Sequence, residues 1–528
     1  MSSLNRRAFI QSAMLASVLP LARRLDAADR GASTGLDFGP PEPFSFEALI
    51  ERARGLAGKP YVAPYRPAPD IVSKIDYDAH GKIRFKPDRA LFARGPGPYP
   101  VMFFHLGQWF RSSVKMHALV NGQAREIFYS PEDFDMPADS VAKKLPRDSG
   151  FAGFRFHEAR RRSDWKTQDW LAFLGASYFR AIGDEGQYGI SARGIAVDTS
   201  AAGTAEEFPE FTEFYIEPAA TEGQPAMVYA LLSGPSVTGA YRFTCHRNKN
   251  VVMEVEANLF VRNTIAQLGL APLTSMFWFA EYDIGFRVDW RPEIHDSDGL
   301  ALWTGAGERI WRPLHDPQRT VTSSFVDKSP KGFGLVQRDR TFDHYLDGVR
   351  YEKRPSLWVE PLGDWGPGSV KLVEIPTDDE IHDNIVAFWE SATPAKAGSS
   401  FKLSYRLHWQ ADEPFPAENV AHVYSTRIGR GGKPGTVRPK GVTKFVVEFA
   451  GKPLETLPHD AKLLANITTS RGEISYVFVE PVPDTKHYRA QFDLALSGTE
   501  PAEVRMFLRS GDKTLSETWL CQYDPRPT

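Results

Sequence analysis

Between Val251 and Val261 the apolar side chains Met253, Val255, Ala257, Leu259 and Val261 alternate with mostly polar neighbours. A period of two puts one set of side chains on each face of an extended chain, so this stretch predicts a half-buried β-strand. Phe46, Leu49, Ile50 and Ala53 recur instead at helical spacing, with Ser45 placed to cap the start and Gly55 and Gly58 at the end. That pattern predicts a helix over 45–56. Ile75-Asp76-Tyr77-Asp78 and Lys82-Ile83-Arg84-Phe85 flank His80-Gly81 and read as a hairpin. Near the C-terminus Phe401–Leu407, Phe445–Phe449, Ala490–Leu496, Val504–Leu508 and Leu515–Tyr523 are short alternating runs. Glycines (42) and prolines (40) are scattered between such runs rather than clustered, the punctuation of many turns. The fold class expected is all-β, built of sandwiched sheets.

A small-residue stretch, 391–400, makes the best boundary. Before it, residues 29–390 form one large β-sandwich domain. After it, 401–528 have the strand spacing of an immunoglobulin-like sandwich of about 130 residues. The first 28 residues stand apart. Asn5-Arg6-Arg7-Ala8-Phe9, a modest apolar run from Ala13 to Ala22, and Ala27-Ala28 read as a twin-arginine export signal. Removing four arginines and one aspartate with it takes the formal charge from −3 to −6. A mildly acidic chain has no electrostatic case for nucleic acid or anionic lipid, and a neutral polymer suits it. No later stretch has the ~20 apolar residues of a membrane span. Cys245 and Cys521 are expected as two free thiols, because a chain this long can bury a core without a bridge.

Chemistry concentrates in two stretches. The first, Trp290-Arg291-Pro292-Glu293-Ile294-His295-Asp296-Ser297-Asp298-Gly299, sets carboxylates, an imidazole and an Arg close together, with Trp303 and Trp311 following. The second, Thr377-Asp378-Asp379-Glu380-Ile381-His382-Asp383-Asn384, follows Gly363-Asp364-Trp365-Gly366. Flat aromatic faces stack on sugar rings and short carboxylates move protons, a combination suited to carbohydrate chemistry. The two stretches are expected on opposite sides of one cleft. Asp296 and Asp298 also read as a tight Asx turn, with Gly299 at positive φ. A divalent metal on His295, Asp296, Asp298, His382 and Asp383 is disfavoured: the loop lacks the Glu that completes a calcium site, and no His pair has zinc spacing. There is no Gly-x-Ser-x-Gly elbow and no P-loop.

Four phrases carry a resemblance: Phe173-Leu174-Gly175-Ala176-Ser177-Tyr178-Phe179-Arg180, Tyr188-Gly189-Ile190-Ser191-Ala192-Arg193-Gly194, Trp290 through Gly305, and Val373-Glu374-Ile375-Pro376-Thr377 running on to Trp389. Together they resemble the periplasmic glucan biosynthesis proteins of the glucan G and D type, and the twin-arginine start resembles the D branch. The resemblance implies a large mutarotase-like sandwich of the carbohydrate-enzyme kind, a linker, and an immunoglobulin-like domain. It implies action on a β-1,2-glucan backbone by an inverting glycoside hydrolase or a transglycosylase, including a cyclising one, with no cofactor and no metal. Inversion needs an acid for the leaving oxygen and a base for the attacking water. The resemblance gives the acid to Asp379, with Asp378 and Glu380 beside it as negative neighbours. Asp296 or Asp298 is expected as base or substrate ligand. Trp290, Arg291, His295, Tyr178, Arg180, Arg193, Trp365, Glu380 and Asp383 are expected to bind substrate, with Arg287 along the same groove. Partners expected are the glucan, a membrane glucan synthase and a second copy of the chain. The rival reading is a non-catalytic glucan-binding or assembly protein working beside that synthase.

Overall fold

The computed structural model describes residues 35–283, 289–458 and 461–525. The twin-arginine segment and Arg287 lie outside the described residues. The chain is nearly all β, with 45% of it in strands and 9% in helix, as the alternating patterns require. It divides into two compact units, Met1–Pro272 with Thr393–Trp409, and Leu273–Ala392 with Gln410–Thr528.

In the first unit a long antiparallel sheet runs through Glu210–Glu217, Ala226–Ser233, Val237–Arg247 and Val251–Val261. Strand Val251–Val261 buries every second residue, as its sequence alternates. Facing this sheet are Gly153–His157, Asp169–Leu174 and Tyr178–Ala181. The core between the two sheets is aromatic. Phe154 and Phe173 each meet Phe214 edge-on, with ring centroids 5.0 and 5.2 Å apart, and Phe179 meets Phe243 at 5.2 Å. Such offset pairs add ~0.5–1.5 kcal/mol each beyond the area they bury. Helix Phe46–Ala57 forms where the spacing put it. Ser45 Oγ accepts from Ala48 N at 3.1 Å, and Phe46, Leu49 and Ala53 are buried in one cluster with Leu231 and Ala240.

Residues 75–85 depart from expectation. The Asp76 carboxylate accepts from Ala79 N at 2.9 Å and caps a short helix, Tyr77–Gly81, in place of a hairpin. A side-chain cap outbid the alternation.

The second unit ends in strands set in two layers, an immunoglobulin-like arrangement. One layer orders His422–Arg430, Val442–Ala450, Tyr488–Ala495 and Glu473–Pro481; the other holds Leu464–Thr469, Ala502–Ser510 and Thr518–Tyr523. Phe445 and Phe492 stack at 5.0 Å in the first layer and meet Trp519 of the second at 5.9 and 6.3 Å. This second layer continues through Thr518–Tyr523 into Arg309–Pro313, then Gly299–Trp303, Gly332–Val336 and Ser356–Pro361. Strand Ser400–Gln410 pairs along its length with Val251–Val261 of the first unit. The compact units therefore differ from the boundary drawn at 391–400. Cys245 and Cys521 are free and buried. Burial pushes the Cys521 thiol up to about 12, which makes it a poor nucleophile.

Candidate functional site

The site is built by a hairpin in the second unit. Strands Pro367–Glu374 and Ile385–Ser391 pair down to Glu374–Ile385, and Ile375 N donates to Asn384 O at 2.9 Å. The connecting loop carries Thr377 to Asp383. Buried Asn384 locks its end: Nδ2 donates to Phe277 O and Ile375 O at 2.8 and 3.0 Å, while Oδ1 accepts from Phe277 N at 2.9 Å. Phe277–Phe279 in turn pairs with Ile294–His295, and the Phe277 and His295 rings stack at 5.5 Å. One buried amide thus ties the second acidic stretch to a strand that carries the first.

The two stretches then meet directly. Arg291 Nη1 donates to Glu380 Oε2 at 2.9 Å and Asp347 Oδ2 at 2.5 Å, and its Nε donates to Asp289 Oδ1 at 2.9 Å. Burial alone would lower the Arg291 pKa; three carboxylates override it and raise it. The Tyr351 hydroxyl donates to Glu380 Oε2 at 2.5 Å. Buried Arg354 stacks over the Tyr351 ring at 4.4 Å and pairs with Asp296. Burial lowers the Arg354 pKa, against the opposing charges of Tyr351, Glu380, Asp383 and Asp347. Arg354 thus lies against Asp296 and over the Tyr351 ring, whose hydroxyl reaches Glu380. Asp379 is half-buried. Its backbone closes a turn with the Thr377 hydroxyl, and among the described residues its carboxylate joins no ion pair.

Asp298 faces elsewhere. It lines a cavity of about 460 Å³ together with Glu281, Glu293, Trp311, Asp339 and His344. Its Oδ2 accepts from the backbone N–H of Arg338 and, at 2.8 Å, of Asp339. His295, wholly buried, donates from Nδ1 to Gln337 Oε1 at 3.0 Å, and its Nε2 lies 3.0 Å from Glu293 and 3.4 Å from Asp298. Gln337 is oriented in turn by donating from Nε2 to Tyr345 Oη at 2.8 Å. Burial pushes the imidazole down, but Asp298 and Glu293 outweigh it and raise it to about 9. Burial also raises Asp298 and Glu293, and it raises Glu281 well above the carboxylate range with help from those two neighbours. Glu293, His295 and Asp298 place ligand atoms within 4.8 Å of one another, as do Glu293, Asp339 and His344.

The expected turn at 296–299 is a strand entry instead. Gly299 opens strand Gly299–Trp303, and a Cβ on it would lie 2.5 Å from Trp311 Cζ2, so glycine is there for the indole and not for φ. Trp290 is 69% exposed beside Arg291, a free-standing aromatic face in reach of solvent. Trp365 packs 6.2 Å from Trp389. Tyr178, Arg180 and Arg193 belong to the first unit. Arg180 stacks on Tyr188 at 4.8 Å, and Arg193 on Tyr178 at 4.7 Å while pairing with Glu206 at 2.7 Å.

Sequence reasoning missed Asp347, Tyr351 and Arg354 around the first cluster, and Glu281, Asp339 and His344 around the cavity. All sit in loops or short helical turns without periodicity. The one available signal was the run of charged and aromatic residues from Asp347 to Arg354.

A family model described as "Periplasmic glucan biosynthesis protein, MdoG" matches residues 44–523. The chain is 59% identical over 501 residues to "Glucans biosynthesis protein D 2" of Ralstonia nicotianae, covering 94% of this chain and 93% of that one. It is 46% identical over 531 residues to "Glucans biosynthesis protein D" of Stenotrophomonas maltophilia, covering 99% and 98%. A protein of that same name from Xanthomonas campestris pv. campestris is 47% identical over 495 residues, covering 93% and 92%.

Proposed function

The chain belongs to the periplasmic glucan biosynthesis family, and from that premise we propose that it acts on a β-1,2-linked glucan backbone as an anomer-inverting glycoside hydrolase or transglycosylase. A role in periplasmic glucan biosynthesis comes with the family. Among the described residues no helix is long and apolar enough to cross a membrane. The observation that carries the chemical reading is the Arg291–Glu380 ion pair, which joins the two acidic stretches.

A carboxyl of the 377–383 loop protonates the glycosidic oxygen as its bond to the anomeric carbon breaks. The resemblance gives this role to Asp379. Asp379 suits it: the residue is half-buried on that loop, its backbone is held by the Thr377 hydroxyl, and among the described residues its carboxylate joins no ion pair. On the opposite face a water attacks the anomeric carbon and passes its proton to a base, directly or by relay. Asp298, at the wall of the 460 Å³ cavity and beside His295, suits the base better than Asp296, which is sealed against Arg354. In transglycosylation a sugar hydroxyl takes the place of water, and no water is consumed. Exclusion of bulk water decides between the outcomes.

Purified protein incubated with linear β-1,2-glucan, and the products weighed by mass spectrometry, tests this. A new reducing end per cut marks hydrolysis, and a ring one water lighter than its linear counterpart marks cyclisation. Unchanged glucan would refute the enzyme reading. The rival, an assembly protein, has one observation in its favour: edge strand Glu473–Pro481 exposes Tyr476, Val477 and Phe478 together.

A further inference from the structure

The first unit holds a cavity of about 290 Å³ that the chemistry above does not use. One wall is the tight turn 107–110, where Gly107 and Phe110 exchange backbone hydrogen bonds of 3.1 and 2.9 Å, so that half-buried Trp109 stands at the bend. Another is Gly175-Ala176, both at positive φ (76° and 45°); a Cβ on Gly175 would lie 3.0 Å from the Phe110 ring. Phe208, 45% exposed, closes a third side. Its ring and that of Tyr178 hold the Arg193 guanidinium between them at 5.5 and 4.7 Å. The polar groups at the cavity are of both signs: Arg66 and Arg111 line it together with Glu210, whose carboxylate accepts from Ser112 Oγ at 3.3 Å.

Aromatic faces around a mixed set of donors and acceptors, without net charge of one sign, suit a neutral sugar ring. The volume sits at the lower end of the ~300–1,000 Å³ of ligand pockets, enough for a single ring. A second cavity of about 460 Å³ in the same unit shares the Val114 wall and lies under the same segment, Pro64-Tyr65-Arg66. Ser113 N donates to Tyr65 O at 2.8 Å and pins that segment across both. Two adjoining cavities under one strap fit consecutive residues of a polymer.

We propose that this pair of cavities is a non-catalytic saccharide-holding trough, with Trp109 and Phe208 as its platforms, that grips the glucan chain. The proposal rests on the glucan reading above. The test is calorimetric titration of the intact protein with linear β-1,2-glucan of short and long chain length, alongside kcat and KM for the same chains. Trp109→Ala and Phe208→Ala are each expected to weaken long-chain binding roughly tenfold and to raise long-chain KM by a similar factor, with kcat and short-chain kinetics unchanged. The two residues lie on separate segments, and exposed Phe208 keeps the test valid if Trp109→Ala misfolds by circular dichroism. Wild-type affinity and KM in the folded variants would overturn the proposal. If wild type ignores β-1,2-glucan, the titration is repeated with β-1,3-, β-1,4- and β-1,6-glucans. Binding of one of these that the variants lose supports the trough and sinks only the linkage. Binding of none overturns the trough.

Discussion

Histidines buried in the two units meet opposite fates. In the first unit His80, His105 and His157 hydrogen-bond backbone carbonyls at 2.6–2.8 Å, and burial holds them at about 3, 4 and 4. In the second, His295 is no less buried, yet Asp298 and Glu293 raise it to about 9. The first unit answers these three imidazoles with neutral carbonyl dipoles, although it too holds ion pairs such as Arg193–Glu206 and Arg247–Glu158. The second keeps charge inside: Arg354–Asp296 and Arg312–Glu374 each have both side chains at most 3% exposed. Buried charge is costly and is often neutral or worse for stability than a well-packed apolar core. Among the described residues, the ion pairs with both side chains at most 3% exposed lie in the second unit, where the proton chemistry is proposed.

The pH dependence sharpens this contrast most. A histidine with a lowered folded pKa binds its proton more readily when unfolded, so stability falls as pH drops below about 6.5 toward 4. Each contributes ~1.4 kcal/mol per pH unit, so the three together approach about 4 kcal/mol per unit in the first unit. Hydrogen exchange between pH 6.5 and 4.5 should show protection falling around Phe104, Phe156 and Leu106 and holding around Ile294. Equal loss in both places would break the comparison.

Next in size is Arg354→Met, which strands Asp296 without its cation. Chemical denaturation should register a loss of ~3–5 kcal/mol, largely recovered when Asp296→Asn is added. A loss below about 1 kcal/mol would mean that the pair carries little. The smallest effect concerns His295 itself. Its raised pKa adds stability that is fully present below about 6.5 and disappears as pH rises through about 9, at ~1.4 kcal/mol per pH unit. His295→Gln should flatten the alkaline side of the stability profile, and an unchanged slope would place the charge elsewhere.

Much of the scaffold was legible in the chain, and the reasons are local. Helix Phe46–Ala57 carries its own cap and stripe, and strand Val251–Val261 its own alternation. The end strands were legible because each buries one face. Residues 77–81 were misread because a single Asp76 cap outweighs a hairpin-like composition. The division into units was hidden because it depends on which strands pair, and Ser400–Gln410 pairs backward with Val251–Val261. At the site both acidic stretches were visible as composition. Their junction depends on Arg354, Tyr351 and Asn384, and pattern alone gives no hint of a buried amide clamp or of a guanidinium stacked on a phenol ring. Asp296 and Asp298 looked interchangeable in sequence; two residues of strand entry send them to different surroundings.

The enzyme reading stands on the loop clamped by Asn384 handing over the proton, through Asp379. Turnover of linear β-1,2-glucan by Asp379→Asn and Asp383→Asn, measured side by side with glucan binding, is the decisive comparison. Asp379→Asn is expected to lose ~10²–10⁴-fold in turnover with binding intact, and Asp383→Asn far less. Wild-type turnover by Asp379→Asn would refute it.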